Sequence, residues 1–345
     1  MKTVLDDTRE IYKRFLDQES RHIFLNRFLY SATGDLEYIK KMIRGTGWWK
    51  QLSSILRNLH DKVFIFGAGG WGRDFLIWLE HCEGFIDNST AIQGTHIDGR
   101  QVYSLKAFID EYGRQSSLIV IVNYLHHAEI KQQCVQAGIP RGRIVDIGSL
   151  IENMMQAQYF DLEDLRCDDD EVFVDVGCLN GATVWGFIKW CQGKYRHIYC
   201  FEPDTKCFSV CSESLSDLIN EGNVTLIEKG VGAVQGKVRF QSADRGMSSI
   251  SVDGNMEIDV MRLDDVFCDT RVTFLKMDIE GAERDALRGA EHVIRRDRPK
   301  LAISVYHRKE DIVKIPALLL DFQPNYTFYM RHYSLSSGET VLYAI

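Results

Sequence analysis

Acidic residues and glycines stand together at the end of one predicted strand, a combination suited to binding a nucleoside. The segment Asp175-Val-Gly177-Cys-Leu-Asn180-Gly181 follows the apolar run that begins at Val172 and opens a predicted helix. Gly177 and Gly181 have no side chains, so a ligand can approach the backbone closely. A carboxylate at Asp175 repels phosphate and favours a ligand that carries a sulfonium and an amino group.

A second acid, Glu202, ends the next predicted strand, which runs from Ile198 to Phe201. In dinucleotide folds, a carboxylate at this place accepts hydrogen bonds from the ribose hydroxyls. The two strand ends therefore predict an adenosyl site, and its residues are Asp175, Gly177, Asn180, Gly181 and Glu202. The alternative is that Gly181 is only a tight turn and Glu202 a solvated strand end.

A further group of acids lies in the string Lys-Met-Asp-Ile-Glu-Gly-Ala-Glu at residues 276–283. Asp278 follows another predicted strand, and His307 ends the strand after that. The carboxyl ends of parallel strands meet at the ligand-bearing edge of an open α/β sheet. We therefore expect Asp278 and His307 to converge there.

The string at 276–283 resembles the FkbM family of methyltransferases, which act on hydroxyl oxygens. Further matching segments follow in the family's order, at residues 288–290, 298–307, 328–333 and 339–343. The resemblance covers roughly residues 171–345. It implies a Rossmann-like seven-stranded sheet, S-adenosylmethionine as the methyl donor and methyl transfer to oxygen. It also implies that adenine binds near Gly230 and Val231.

Methyl transfer to a hydroxyl needs a group that takes the proton, and such a base contributes ~10²–10⁴-fold to the rate. Asp278 is the leading candidate for a catalytic residue, with His307 and Glu280 as further candidates. An imidazole is suited to accept a proton near neutral pH. Many members of the family carry a Glu on the strand that His307 ends, so a purely hydrogen-bonding His307 is equally expected.

Asp278, Glu280 and His307 can also be read as ligands of a divalent cation that lowers the pKa of the hydroxyl. The sequence carries no ligand geometry and does not support this metal. Glu283 stands in the first turn of a predicted helix, where an acid interacts favourably with the helix dipole without any function.

Another glycine-rich loop, Gly67-Ala-Gly69-Gly-Trp-Gly72, lies between a predicted strand and a predicted helix. Asp87 follows Gly67 by 20 residues, as in the dinucleotide fingerprint. Residues 61–149 also look like the small Rossmann-like N-terminal domains of sugar-modifying enzymes, some of which bind a nucleotide sugar. Three interpretations stay open for Gly67, Gly69, Gly72 and Asp87: a nucleotide-sugar site, a structural module without ligand, and an NAD site.

Alternating strands and helices must position these residues, and the alternation occurs twice along the chain. We predict an α/β fold with two doubly wound Rossmann-like domains, of which the second contains a seven-stranded mixed sheet. Its last two strands are expected to form an antiparallel pair at the sheet edge. The predicted parts are a helical segment at 1–60, a small Rossmann-like domain at 61–150, a polar linker at 151–170 and a methyltransferase domain at 171–345.

The composition is ordinary for a soluble globular protein, with 345 residues of which 45% are hydrophobic and 26% charged. No apolar run approaches the ~18 residues that span a bilayer, and the N-terminus lacks the apolar segment of a secretory signal. The nine cysteines include no Cys-x-x-Cys pair, which favours reduced thiols in a cytoplasmic protein.

The net charge of −8 is unevenly distributed, since residues 1–150 carry +2 and the remainder −10. A nucleic-acid-binding face needs excess basic charge, so neither nucleic acid nor membrane is expected as a partner. We expect a small-molecule or saccharide substrate, with a nucleotide sugar as a candidate ligand of the N-terminal domain. The oligomeric state is not indicated.

The leading hypothesis is an S-adenosylmethionine-dependent O-methyltransferase that acts on a hydroxyl of a sugar or related metabolite. One alternative is a non-catalytic nucleotide-sugar-binding protein whose second domain has lost its activity. The other is an NAD-dependent oxidoreductase that uses the glycine-rich loop of residues 61–149.

Overall fold

The computed structural model describes residues 3–59, 61–241, 249–250 and 254–345, with only the backbone at 249–250. The chain forms two compact units. The larger unit contains Met1–Gly34, Tyr159–His332 and Glu339–Ile345, and the smaller unit contains Asp35–Gln158 and Tyr333–Gly338.

The described helices and strands alternate along most of the chain. The α-helices are α1 (Val4–Arg14), α2 (Gln18–Thr33), α3 (Leu36–Arg44), α4 (Trp49–Leu56), α5 (Gly70–Phe75), α6 (Leu105–Tyr112), α7 (His127–Gln136), α8 (Gly148–Ala157), α9 (Ala182–Trp190), α10 (Thr205–Ser214), α11 (Ser216–Asn220), α12 (Leu263–Val266), α13 (Glu283–Arg288), α14 (Glu291–Asp297) and α15 (Asp311–Phe322). The strands are β1 (Lys62–Phe66), β2 (Gly84–Ile86), β3 (His96–Ile97), β4 (Arg100–Tyr103), β5 (Ser117–Ile121), β6 (Ile144–Asp146), β7 (Glu171–Val176), β8 (Tyr195–Phe201), β9 (Val224–Ile227), β10 (Gly230–Val231), β11 (Gly236–Gln241), β12 (Ser249–Ile250), β13 (Met256–Met261), β14 (Phe274–Met277), β15 (Lys300–Ser304), β16 (Phe328–His332) and β17 (Thr340–Ala344).

The larger unit is built on a seven-stranded sheet with the order β16-β17-β15-β14-β7-β8-β9. The five strands from β15 to β9 are parallel, whereas β17 runs antiparallel to both β15 and β16. The central strands β7 and β14 are buried throughout, as expected for parallel strands covered on both faces. The predicted seven-stranded mixed sheet and its antiparallel edge pair are confirmed.

A four-stranded sheet in the order β10-β13-β11-β12 also belongs to the larger unit. Its small core consists of Phe240, Ile258 and Val260. Of the four strands in this sheet, the sequence predicts only one, at Val238–Phe240. The alternating exposed and buried residues of β13 show why: a strand with one solvated face carries a weak apolar signal.

The two N-terminal helices α1 and α2 pack within the larger unit. The backbone N–H of Met330 in β16 donates to Ser20 Oγ (2.8 Å), and the Arg331 guanidinium pairs with Asp17 (2.6 Å). The predicted helical segment at 1–60 is helical in its described parts, but it divides after Gly34, and α3 and α4 belong to the smaller unit.

The smaller unit contains a six-stranded sheet in the order β3-β4-β2-β1-β5-β6. All neighbouring pairs are parallel except β3 with β4. The parallel strands, taken in chain order, follow the 3-2-1-4-5 arrangement of doubly wound nucleotide folds. The connection from β2 to β4 carries the short strand β3 instead of a helix, so the arrangement departs from that fold in detail.

Two local expectations differ from the observed elements. The stretch predicted as a polar linker at 151–170 begins inside α8, whose buried face includes Ile151 and Met154. The sequence also predicts one helix over residues 205–220, but this helix is interrupted at Leu215, a fully buried residue between α10 and α11.

Among the described residues, no helix combines the length and apolarity needed to cross a bilayer. All nine cysteines are free thiols.

The glycine-rich loop of the smaller unit provides a test of its packing. A Cβ added at Gly72 would lie 1.9 Å from the carbonyl oxygen of Gly67, whereas one added at Gly70 would meet nothing within 4 Å. Gly72→Ala should therefore lower the free energy of unfolding by about 1–3 kcal/mol, the usual cost of overpacking. Thermal and denaturant unfolding of the full chain measures the effect, and Gly70→Ala is the matched control. Equal stability of the two variants would contradict this packing.

Candidate functional site

The carboxyl ends of β7, β8 and β14 place three predicted residues at one edge of the larger sheet. Gly177 follows β7, Glu202 follows β8 and Asp278 follows β14. Because these strands are parallel and adjacent, the residues after them converge. This convergence is the one expected from the strand pattern.

These residues line a pocket within the larger unit. Its wall is largely apolar, with acids at separate points, and its lining residues are Val176, Gly177, Leu179, Phe201, Glu202, Pro203, Cys207, Lys229, Gly230, Val231, Phe240, Ile258, Asp278, Ile279, Glu280 and Ala282. Of the predicted cofactor residues, Gly177, Glu202, Gly230 and Val231 line the pocket. Asp175, Asn180 and Gly181 do not.

Glu202 is nearly buried and is held by the backbone on both sides. Its Oε2 accepts the N–H of Leu179 (3.0 Å) and its Oε1 accepts the N–H of Asp204 (2.9 Å). Burial raises the pKa of Glu202 to about 7. Each carboxylate oxygen keeps a second lone pair, so the side chain can still accept hydrogen bonds from a ligand.

Gly177 permits a close approach, but the approaching group is the chain's own backbone. Its φ is +84°, in the left-handed region, and an added Cβ would lie 2.0 Å from the carbonyl oxygen of Asp278. Glycine is therefore required here to let the loops after β7 and β14 touch. Gly177 also lines the pocket, and its predicted role in cofactor binding stays a prediction.

Asp175 is fully buried and forms an ion pair with Lys276. The Lys276 ammonium lies 2.9 Å from Asp175 Oδ1 and donates to the carbonyl oxygen of Gly177 (2.7 Å). Burial lowers the pKa of Lys276, but the carboxylate of Asp175 outweighs this and raises it. Asp175 is therefore placed to stabilise the loop after β7 and does not contact the pocket.

Asn180 and Gly181 shape the start of α9. The side-chain oxygen of Asn180 accepts the N–H of Ala182 (3.1 Å), and Gly181 is the residue that precedes the helix, with a φ of +80°. Both residues have local structural contacts, and their predicted role in cofactor binding stays a prediction.

Two tyrosines hold the carboxylate of Asp278 at the pocket wall. The Tyr159 hydroxyl donates to Oδ2 (2.7 Å), and the Tyr306 hydroxyl donates a longer bond to Oδ1 (3.4 Å). Sequence reasoning missed both tyrosines. Tyr159 lies in the predicted linker, 119 residues from its partner, and no local pattern signals such a contact.

His307 lies next to Asp278, surrounded by three carboxylates. Its Nδ1 is 2.8 Å from Glu283 Oε1, and its Nε2 is 3.4 Å from an oxygen of Asp278 and of Glu280. Burial lowers the pKa of His307, but the carboxylates, Glu283 first, outweigh this and raise it to about 9. At neutral pH a ring with this pKa is protonated and donates a hydrogen bond instead of accepting a proton. The predicted catalytic role of His307 stays a prediction.

Glu283 organises the loop that carries Glu280. Its buried Oε1 accepts the N–H groups of Ile279 (3.0 Å) and Gly281 (3.3 Å), on either side of Glu280. Glu280 itself has a φ of +53°, an uncommon conformation for a residue with a side chain. Glu283 therefore has a specific structural task beyond the dipole interaction expected from the sequence.

In the smaller unit, the four predicted ligand-binding residues surround the loop between β1 and α5. The Asp87 carboxylate accepts the N–H groups of Ala68 (2.8 Å) and Ser89 (2.8 Å), one on each oxygen. Gly67 has a φ of +112°, and Gly69 immediately precedes α5. Asp87, the acidic residue of the predicted dinucleotide fingerprint, thus binds the backbone of the glycine-rich loop.

Another cavity of the larger unit opens at the amino ends of β7 and β14. Its lining includes Asp168, Arg196 and Arg271. Open α/β sheets bind their ligands at the carboxyl ends of the strands. The candidate site is therefore the pocket that contains Glu202 and Asp278.

The buried ion pair makes a testable contribution to stability. Lys276→Met should lower the free energy of unfolding by about 3–5 kcal/mol, because it leaves the buried carboxylate of Asp175 without its partner. Lys237→Met, which removes an exposed pair with Glu257, should change it by less than ~1 kcal/mol. Denaturant unfolding monitored by circular dichroism compares the two. Similar small losses would show that Lys276 is not buried against Asp175.

Comparisons with known proteins concern the fold and one domain of the chain. No curated protein sequence matches the chain. A crystal structure of the methyltransferase FkbM from Methylobacillus flagellatus KT aligns with 93% of this chain and 99% of its own, at 20% identity and a TM-score of 0.54, which concerns the fold alone.

Two more distant structures align with the chain at TM-scores too low to indicate any shared function. An rRNA methylase from Streptococcus thermophilus (17% identity, TM-score 0.33) aligns with 57% of this chain and 94% of its own. Fibrillarin from Aeropyrum pernix with bound S-adenosyl-L-methionine (13% identity, TM-score 0.35) aligns with 56% and 74%. Residues 175–330, by contrast, match the model of the FkbM methyltransferase domain. The chain therefore contains an FkbM methyltransferase domain at residues 175–330, which supports a methyltransferase.

Proposed function

We propose that the protein uses S-adenosylmethionine to methylate a hydroxyl oxygen of a sugar or a related metabolite. The observation that carries the proposal is that Glu202, Asp278 and Glu280 line the same pocket. The sulfonium donor is a cation, and acids around the pocket suit it.

The residues present fit the donor. Glu202 has free lone pairs for the ribose hydroxyls, while its bonds to Leu179 and Asp204 fix its orientation. The apolar side chains of Val231 and Ile258 offer surfaces on which an adenine ring can pack. This arrangement supports an adenosyl group with its ribose at the end of β8.

S-adenosylmethionine supplies an electrophilic methyl group to the acceptor oxygen. Asp278 stands at the pocket wall with its carboxylate fixed by Tyr159. We assign it the task of orienting the acceptor hydroxyl and taking its proton. A carboxylate held in one orientation serves both tasks, since alignment of the reacting atoms and proton transfer each lower the barrier.

The saccharide acceptor rests on the resemblance of residues 61–149 to the N-terminal domains of sugar-modifying enzymes. Gly67, Gly69, Gly72 and Asp87 are the proposed contacts for a nucleotide sugar in the smaller unit. The free thiols of all nine cysteines are consistent with a cytoplasmic location.

The donor site can be tested through Glu202. Glu202→Gln should weaken binding of S-adenosylhomocysteine by about 10–150-fold, since hydrogen bonds to a charged group contribute ~1.5–3 kcal/mol. Isothermal titration calorimetry measures the affinity. Glu213→Gln, at an exposed position of α10, is the matched control. If the wild-type protein fails to bind S-adenosylmethionine at millimolar concentration, the proposed function is wrong.

The role of Asp278 can be separated from donor binding. Asp278→Asn should reduce methyl transfer at least ~100-fold, because it removes the base, while S-adenosylhomocysteine still binds. Transfer of a labelled methyl group to a panel of sugars and nucleotide sugars provides the assay. The control is Asp259→Asn, an exposed acid in β13. Unchanged turnover in Asp278→Asn would exclude this residue as the base.

A further inference from the structure

The ring of His307 has one nitrogen that its surroundings leave unused. Its side chain is only 8% exposed, and Nδ1 is engaged by Glu283 at 2.8 Å. Within the described part of the chain, Nε2 forms no hydrogen bond with acceptable geometry. A buried polar atom of this kind is costly unless something binds it.

Two carboxylate oxygens face this nitrogen. Asp278 Oδ1 and Glu280 Oε2 each lie 3.4 Å from Nε2. This is longer than an N–H···O hydrogen bond, which spans about 2.7–3.2 Å. Each of these nitrogen–oxygen distances agrees with the spacing of two ligands on one tetrahedral cation, which is about 3.3–3.4 Å for bonds of 2.0–2.1 Å. Among the described residues, ligand atoms of Asp278, His307 and Glu283 lie within 4.8 Å of one another, and Glu280 approaches this cluster at Nε2.

The neighbouring groups are those that orient metal ligands. A histidine bound to a metal usually donates its other ring N–H to a carboxylate, and Glu283 accepts from Nδ1 in this way. Glu283 also binds the amides on both sides of Glu280. The Asp278 carboxylate is in turn fixed by Tyr159 through its other oxygen, Oδ2.

We propose that His307 Nε2, Asp278 Oδ1 and Glu280 Oε2 bind a divalent cation of the zinc type, with Glu283 as the positioning residue. The cation takes the place of the proton on Nε2, since a metal-bound histidine must be neutral.

The ligand set selects the class of cation. An imidazole nitrogen suits zinc, cobalt, nickel and iron, whereas magnesium and calcium prefer oxygen alone. Three protein ligands leave a fourth position of a tetrahedral ion open. Asp278 and Glu280 line the pocket, so a molecule in the pocket would be able to reach an ion that they hold. If the proposed function holds, an acceptor hydroxyl entering this position would have its pKa lowered, and Asp278 would take its proton through Oδ2, the oxygen that the proposed cation leaves unbound.

Binding of Co²⁺ to the full-length, chelator-treated protein tests the proposal without any methyl donor, so its outcome is independent of the proposed function. Cobalt in a tetrahedral site gives intense visible absorption, and thiolate ligands add a charge-transfer band in the near ultraviolet. We expect the visible absorption to saturate at one cobalt per chain without the thiolate band. Excess Zn²⁺ should abolish it, and excess Mg²⁺ should not.

Variants then assign the ligands. His307→Ala and Glu280→Gln should each weaken cobalt binding by more than about tenfold, whereas Glu283→Gln should weaken it by about 10–100-fold without removing a ligand. His292→Ala, at an exposed histidine of α14, is the matched control and should bind as the wild type does. Glu280 is partly exposed, so its variant tests the site even if His307→Ala fails to fold.

Three results would overturn the proposal. The first is no saturable absorption at millimolar cobalt, which would leave His307 as an ion-paired imidazolium. The second is a spectrum dominated by thiolate charge transfer. The third is unchanged affinity in both folded ligand variants.

Discussion

The parallel pairing of β7 with β14 is the constraint on which the site depends. Its register sets Lys276 opposite Asp175, and the two form a buried ion pair one residue before the end of each strand. Immediately beyond, Gly177 meets the backbone of Asp278 so closely that no side chain fits between them. The strand ends are thereby held at a fixed separation, and this also fixes the distance between the pocket residues that follow them.

A second centre of organisation is the carboxylate of Glu283, which is buried completely. One of its oxygens serves the histidine ring and the amides of the loop after β14. Through this single atom, the orientations of His307 and Glu280 are coupled. The acids of the loop after β14 and the distant His307 thus act as one group. Removing the charge of any member changes the electrostatic environment of the others.

The sequence predicted the parts of the site that follow from strand periodicity. Glu202 and Asp278 each follow a largely apolar strand, and parallel strands bring such ends to one edge. The partners of those residues were not predictable. Lys276 appears in the sequence as one residue of a recognisable string, and only the register reveals Asp175 as its counter-ion.

The remaining misses have the same physical origin. Tyr159 lies in a stretch that looks like a polar linker, although its hydroxyl reaches Asp278. His307 is protonated because three carboxylates surround it, and no periodic pattern in the sequence predicts that these groups come together. Most strands of the four-stranded sheet that contains β13 were not predicted, because a strand with one solvated face is only weakly apolar. Local patterns specify elements, whereas charge states depend on distances across the fold.

The packing of α1 and α2 affects which residues a fragment of this protein must include in order to fold. The family match begins at residue 175, yet the compact unit around it includes Met1–Gly34. Phe15 bridges to the backbone of Phe328, and the guanidinium of Arg27 donates to the carbonyl of Tyr306, next to His307. An expression fragment that begins at residue 175 would lose both contacts, expose apolar side chains of β16 and remove a hydrogen bond from the loop after β15 that contains His307. For this protein, sequence similarity therefore marks a region smaller than the unit that folds.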